Sequence, residues 1–170
     1  PSHPVAQALL RALEAGTPFS EAVQDALARG YTEPDPRDDL SGLDVARKAL
    51  ILGRMLGQRR EFDAITPESL VRRGASLSVD KWIAGLARDD AWWAERAAAA
   101  RAEGAALRYV ATVTPTTIEV GLRAVPRESP LGQLRGAANQ LVIISDRYHD
   151  SPLVITGPGA GPEVTATGVL

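Results

Sequence analysis

The sequence predicts an α+β domain, and a change of period along the chain predicts it. From Pro4 to Glu103 the apolar residues recur at helical spacing; from Ala106 onward they alternate in β-branched runs. Helices gathered first and strands afterwards argue for segregated layers rather than repeated βαβ units, so a mixed β-sheet covered on one face by helices is expected. At 170 residues the chain is the size of one domain and can bury a substantial core.

The elements follow in order. Val5, Ala8, Leu9, Ala12 and Leu13 give a first helix over 4–15, stopped by Gly16. Ser20 and Glu21 open a second, with Val23, Ala26 and Leu27 on its apolar side, ending near Gly30. A loop over 31–40 holds two prolines and four acids. A third helix over 41–57 places Leu43, Ala46, Leu50 and Leu56 on one side, and Thr66-Pro67-Glu68 reads as a short helical turn. Two further helices, 80–87 and 90–103, lie in an Ala-rich stretch where Trp82, Trp92 and Trp93 are expected to pack. Runs over 106–114 and 117–125, separated by Pro115-Thr116, form a hairpin signal, and 141–145 and 153–156 are further strands. Tyr109 and Tyr148 are expected in the core. Residues 163–170 begin a last helix.

Composition narrows the function. Hydrophobic residues make up 45% and charged residues 24%, and the formal net charge is -2, so neither nucleic acid nor an anionic membrane is an expected partner. No apolar run reaches the roughly 18–20 residues a membrane span needs. The absence of cysteine excludes disulfides and thiol chemistry and points to a reducing, cytoplasmic setting. His3 and His149 are too few and too far apart for a histidine-built metal site or triad. Of 19 basic residues only Lys48 and Lys81 are lysine. Arg does not release its proton in proteins whereas Lys can, so a lysine kept against that bias is a candidate for proton transfer, with chance under an Arg-favouring composition the equal alternative at this point.

The loop and the helix after it carry the chemistry. Pro34 and Pro36 fix their own φ and hold Glu33 and Asp35 on stiffened, extended backbone. Asp44 and Lys48 stand four residues apart on a helix and share a face, where opposite charges can clasp a zwitterion. Three other readings stand beside this one: a solvated helix ion pair, acids that complement a helix N-terminus, and a divalent-cation loop. The last lacks the ligand spacing, glycine and closing Glu of an EF-hand.

The run Glu33-Pro34-Asp35-Pro36-Arg37-Asp38-Asp39-Leu40-Ser41-Gly42-Leu43-Asp44-Val45-Ala46-Arg47-Lys48 resembles the signature segment of homoserine dehydrogenases nearly residue for residue. Pieces in the same order extend the resemblance over about 13–170: Leu107 to Ala111, Val120 to Leu122, Val125-Pro126, Ser129 to Leu131, Asn139, and Pro152 through Gly157-Pro158-Gly159-Ala160-Gly161 to Val169. The resemblance implies an oxidoreductase interconverting L-homoserine and L-aspartate 4-semialdehyde with NAD(P), acting as a homodimer. It implies Lys48 as the catalytic acid/base, Glu33 and Asp44 on the substrate ammonium, Asp39 as a further substrate contact, and Gly161 beside the cofactor. Asp35, Arg37 and Asp38 would shape the loop. The glycine run is not the G-x-G-x-x-G of a dinucleotide-binding βαβ unit. On this reading 1–170 is the catalytic and dimerisation portion of a longer protein, 157–170 returns toward a cofactor domain that would precede it, and the last helix is cut. The competing reading is a non-catalytic substrate-binding and dimerisation module of the same fold.

Overall fold

The computed structural model describes residues 4–135 and 138–158. Six α-helices precede four strands: α1 (Pro4–Glu14), α2 (Phe19–Ala28), α3 (Pro36–Leu40), α4 (Leu43–Met55), α5 (Val79–Gly85), α6 (Asp90–Ala102), β1 (Ala105–Val113), β2 (Ile118–Pro126), β3 (Ala138–Ile143) and β4 (Leu153–Pro158). Single 3-10 turns lie at Phe62–Ala64 and Leu86–Asp89. The order is the α+β order expected.

The helices form because their apolar spacing has a sheet to cover. β1 and β2 pair antiparallel from Ala105↔Pro126 to Val113↔Ile118, which puts Leu107, Tyr109, Val120 and Leu122 on one face. α1, α4 and α6 pack against β1, and α4 also against β2. Val5, Leu9, Leu10 and Leu13 of α1 and Val45, Ala46, Ala49 and Leu50 of α4 are buried there. Phe19 of α2 stacks on Trp93 of α6 at 4.7 Å between centroids. Arg108, on the opposite face of β1, is buried with its charge answered: Glu14 Oε1 lies 2.8 Å from Nη1, and Leu131 and Gly132 supply carbonyls at 3.0 and 2.7 Å. That network holds the segment after β2 against the sheet.

β3 and β4 form a second antiparallel ladder, Ala138↔Pro158 to Ile143↔Leu153. Among the described residues the sheet is therefore two antiparallel pairs rather than one mixed sheet. No β3 or β4 residue joins the core cluster.

Three local expectations are corrected. The acidic loop contains α3, because Asp35 caps it, accepting the Arg37 N–H at 3.0 Å, and Pro36 occupies its first turn. Thr66–Glu68 is not helical: the Glu68 N–H donates to the Val120 carbonyl at 2.9 Å, so the segment runs along β2. Tyr148 is 40% exposed and lies outside the core, whereas Tyr109 is 1% exposed. The helix expected over 163–170 and the glycines at 159 and 161 lie outside the described residues.

Candidate functional site

The site is built around the start of α4. Gly42 takes φ +78° immediately before the helix, and a Cβ there would overlap the Tyr109 hydroxyl, which donates to the Glu68 carbonyl at 2.6 Å. Ser41 Oγ donates to the Asp38 carbonyl and accepts from the Leu43 N–H, joining α3 to α4. In the first turn of α4, Asp44 Oδ2 lies 2.8 Å from the Nζ of Lys48 one turn further on, with both side chains about 40% exposed: 43% for Asp44 and 39% for Lys48. The next turn presents Ile51 and Leu52.

Lys48, Ile51 and Leu52 form one wall of a cavity of about 380 Å³. The other wall is the β3–β4 hairpin, through Asn139, Gln140, Leu141, Ile155 and Gly157. Asn139 pairs with Gly157 and Leu141 with Ile155, so these four share one face of the hairpin. The lining is mostly apolar with a few polar groups converging on it, the usual make-up of a small-molecule site.

The acidic loop is held from behind. Asp39 is 7% exposed, and its Oδ2 accepts the Glu33 N–H at 2.8 Å, while the Glu33 side chain remains exposed. Arg37 bonds Asp35 through Nη2 at 2.6 Å and through Nε at 2.8 Å. Its Nη1 donates to the carbonyls of Gly74, Ala75 and Leu77, and its guanidinium lies 5.8 Å from the Trp82 ring centroid. The hydrogen bond from Arg37 holds the Asp35 carboxyl below its ordinary range. Arg37 thus fastens the loop to the 74–77 segment.

The homoserine dehydrogenase family model matches residues 6–170. The chain belongs to the homoserine dehydrogenase family. It is 45% identical over 161 residues to a bifunctional aspartokinase/homoserine dehydrogenase of Zea mays, covering 92% of this chain and 18% of that protein. It is 40% identical over 157 residues to a homoserine dehydrogenase of Schizosaccharomyces pombe, covering 89% and 42%. The chain therefore spans less than half the length of either relative. Among solved structures, a Candida auris protein described as of unknown function superposes with a TM-score of 0.89 at 34% identity, over 99% of this chain and 49% of that one. A putative homoserine dehydrogenase of Archaeoglobus fulgidus shares the fold at a TM-score of 0.74 and 23% identity, over 98% and 45%.

In this homoserine dehydrogenase-family chain the structure brings Asp44 and Lys48 together and ties Glu33 to Asp39. Asp39, expected as a substrate contact, uses one oxygen to fix where Glu33 stands. Gly161 falls outside the described residues. Sequence reasoning missed Ile51, Leu52, Leu141 and Ile155 as cavity wall. Ile51 and Leu52 carried a signal, since positions three and four beyond Lys48 repeat its helical face. The hairpin residues did not, because their facing α4 depends on tertiary packing.

Proposed function

We propose that this chain supplies the substrate-binding and acid/base part of an NAD(P)-dependent oxidoreductase interconverting L-homoserine and L-aspartate 4-semialdehyde, in the biosynthesis of threonine, methionine and isoleucine. The observation that carries this reading is the Asp44–Lys48 pair at the wall of an apolar cavity, in a chain of this family.

Glu33 and Asp44 take the substrate ammonium. As that ammonium reaches Asp44 it competes with Lys48 for the carboxylate, freeing the lysine to turn toward the reacting oxygen. Lys48 then donates a proton to the aldehyde oxygen, so that no free alkoxide forms, and takes the proton back in the reverse direction. Asp39 stands behind Glu33 and holds it; as a further contact it reaches substrate from there. The cofactor, when bound, supplies or accepts the hydride. Gly161 is the proposed cofactor contact within this chain, and most of the dinucleotide would be held by a separate nucleotide-binding domain. The exposed β3–β4 hairpin suits a homodimer contact, and the proposed compartment is the cytoplasm.

The test compares the 170-residue chain alone with the same chain preceded by a nucleotide-binding domain of the family, following homoserine-dependent reduction of NADP and NAD. Turnover in the joined form and none in the chain alone is expected. No homoserine-dependent reduction in the joined form would overturn the reading.

A further inference from the structure

The Glu33 side chain is exposed, and among the described residues no hydrogen bond or ion pair holds its carboxylate. Where that carboxylate stands is therefore decided by the backbone beneath it. This backbone is weakly tied. Among the described residues no backbone hydrogen bond joins 32–37 to another element. α3 has five residues, too few for a helix to be stable unaided. Pro36 and Leu40 are buried and keep α3 on the core, but apolar burial is non-directional and leaves the tilt of the loop open.

Direction comes from Arg37, whose side chain is only 15% exposed. One edge of its guanidinium, Nε and Nη2, meets both oxygens of Asp35, the residue that caps α3. The other edge, Nη1, meets the carbonyls of Gly74, Ala75 and Leu77, the last at 2.7 Å. A planar fork of donors joins two partners lying on opposite sides of it; a lysine presents its donors from one nitrogen and cannot. The cap, α3 and the Asp39 oxygen that accepts the Glu33 N–H are thus oriented from the 74–77 segment. Neither Arg37 nor that segment lines the cavity beside Lys48.

We infer that Arg37 is a positioning residue for the substrate: by clamping the acidic loop to the 74–77 segment it sets where the Glu33 carboxylate meets the ammonium. This inference rests on the function proposed above, which puts the ammonium at Glu33. The ammonium does not react, so its grip is the same in the bound substrate and in the transition state. Losing the aim of Glu33 then raises KM for the amino acid and leaves kcat in place, which is the mark of uniform binding removed.

Arg37→Lys, Arg37→Ala and Phe19→Leu are made in the chain joined to a nucleotide-binding domain of the family. Phe19→Leu, in the core against Trp93, lowers the melting temperature without removing the clamp. The KM for L-homoserine should rise about tenfold in Arg37→Lys and toward about a hundredfold in Arg37→Ala, the size of a lost charge-assisted hydrogen bond. Their kcat should stay within about threefold of the parent, and their KM for NADP should not move. Hydrogen exchange of the 33–39 amides should quicken in both before homoserine is added. Phe19→Leu should leave KM and that exchange as they are. An unchanged KM in a folded Arg37→Lys protein would overturn the inference. An equal rise in Phe19→Leu would overturn it too, because lost stability alone would then account for the effect. If the parent turns over no homoserine, the proposed function fails, and amide exchange decides this inference: unchanged protection of 33–39 in both Arg37 variants overturns it.

Discussion

β1–β2 and β3–β4 are both antiparallel hairpins of alternating apolar residues, yet they are buried very differently. Leu107, Tyr109, Val120 and Leu122 of the first are 1–4% exposed, while Leu153, Val154 and Ile155 of the second are 37–53% exposed. Strand chemistry alone does not decide burial; the helices available to cover a sheet do. α1, α4 and α6 use their apolar faces on β1, while the second hairpin faces α4 and β1 across cavities. The candidate site lies along that join. Lys48, the proposed acid/base residue, stands on the helix packed against the buried hairpin, and the wall opposite is the more exposed hairpin.

The contrast can be broken by substitution. The largest effect is expected at Trp93, 1% exposed and stacked on Phe19. Trp93→Ala should cost about 3–5 kcal/mol in urea unfolding, a large share of a typical domain's stability. Gly42→Ala comes next, at about 1–3 kcal/mol, since it combines a left-handed φ with overlap of the Tyr109 hydroxyl. Tyr109→Phe should cost about 1 kcal/mol by losing the hydrogen bond to the Glu68 carbonyl.

The same variant has a pH signature. Burial first, and the Glu68 charge second, push the Tyr109 phenol up to about 12 from 10.0. Between those values the unfolded chain gives up the phenolic proton while the folded chain keeps it. The unfolded state then binds fewer protons, so stability falls as pH rises through that window. Unfolding measured from pH 9 to 12 should show a shallower decline in Tyr109→Phe. At the small end, Val154→Thr on the second hairpin should change stability by no more than about 0.5 kcal/mol. A cost there near that of Trp93→Ala would end the distinction between the two hairpins.

Much of this was legible in the sequence, for reasons particular to each segment. α1, α2, α4 and β1–β2 carry one-sided apolar periods that tertiary packing reinforces, so pattern and structure agree. The acidic loop hid α3 because Pro34 and Pro36 equally suit a stiff, extended chain. Asp35 before Pro36 was a helix start in plain view. Thr66–Glu68 carried a helix-opening pattern that the β2 edge overrode through the Glu68–Val120 hydrogen bond. At the site, Asp44 and Lys48 were legible because one helix face suffices to place them. The Arg37 clamp and the hairpin wall were not, since each joins residues more than 30 positions apart.

Lys48 is the proposed carrier of the proton. Lys48→Arg keeps a positive charge within reach of Asp44 but supplies a group that does not release its proton. Turnover of L-homoserine should be measured in the chain joined to a nucleotide-binding domain, alongside the melting temperature. An unchanged melting temperature and a fall in turnover of about 10²–10⁴-fold are expected. A folded Lys48→Arg protein turning over within a few-fold of the parent would contradict it.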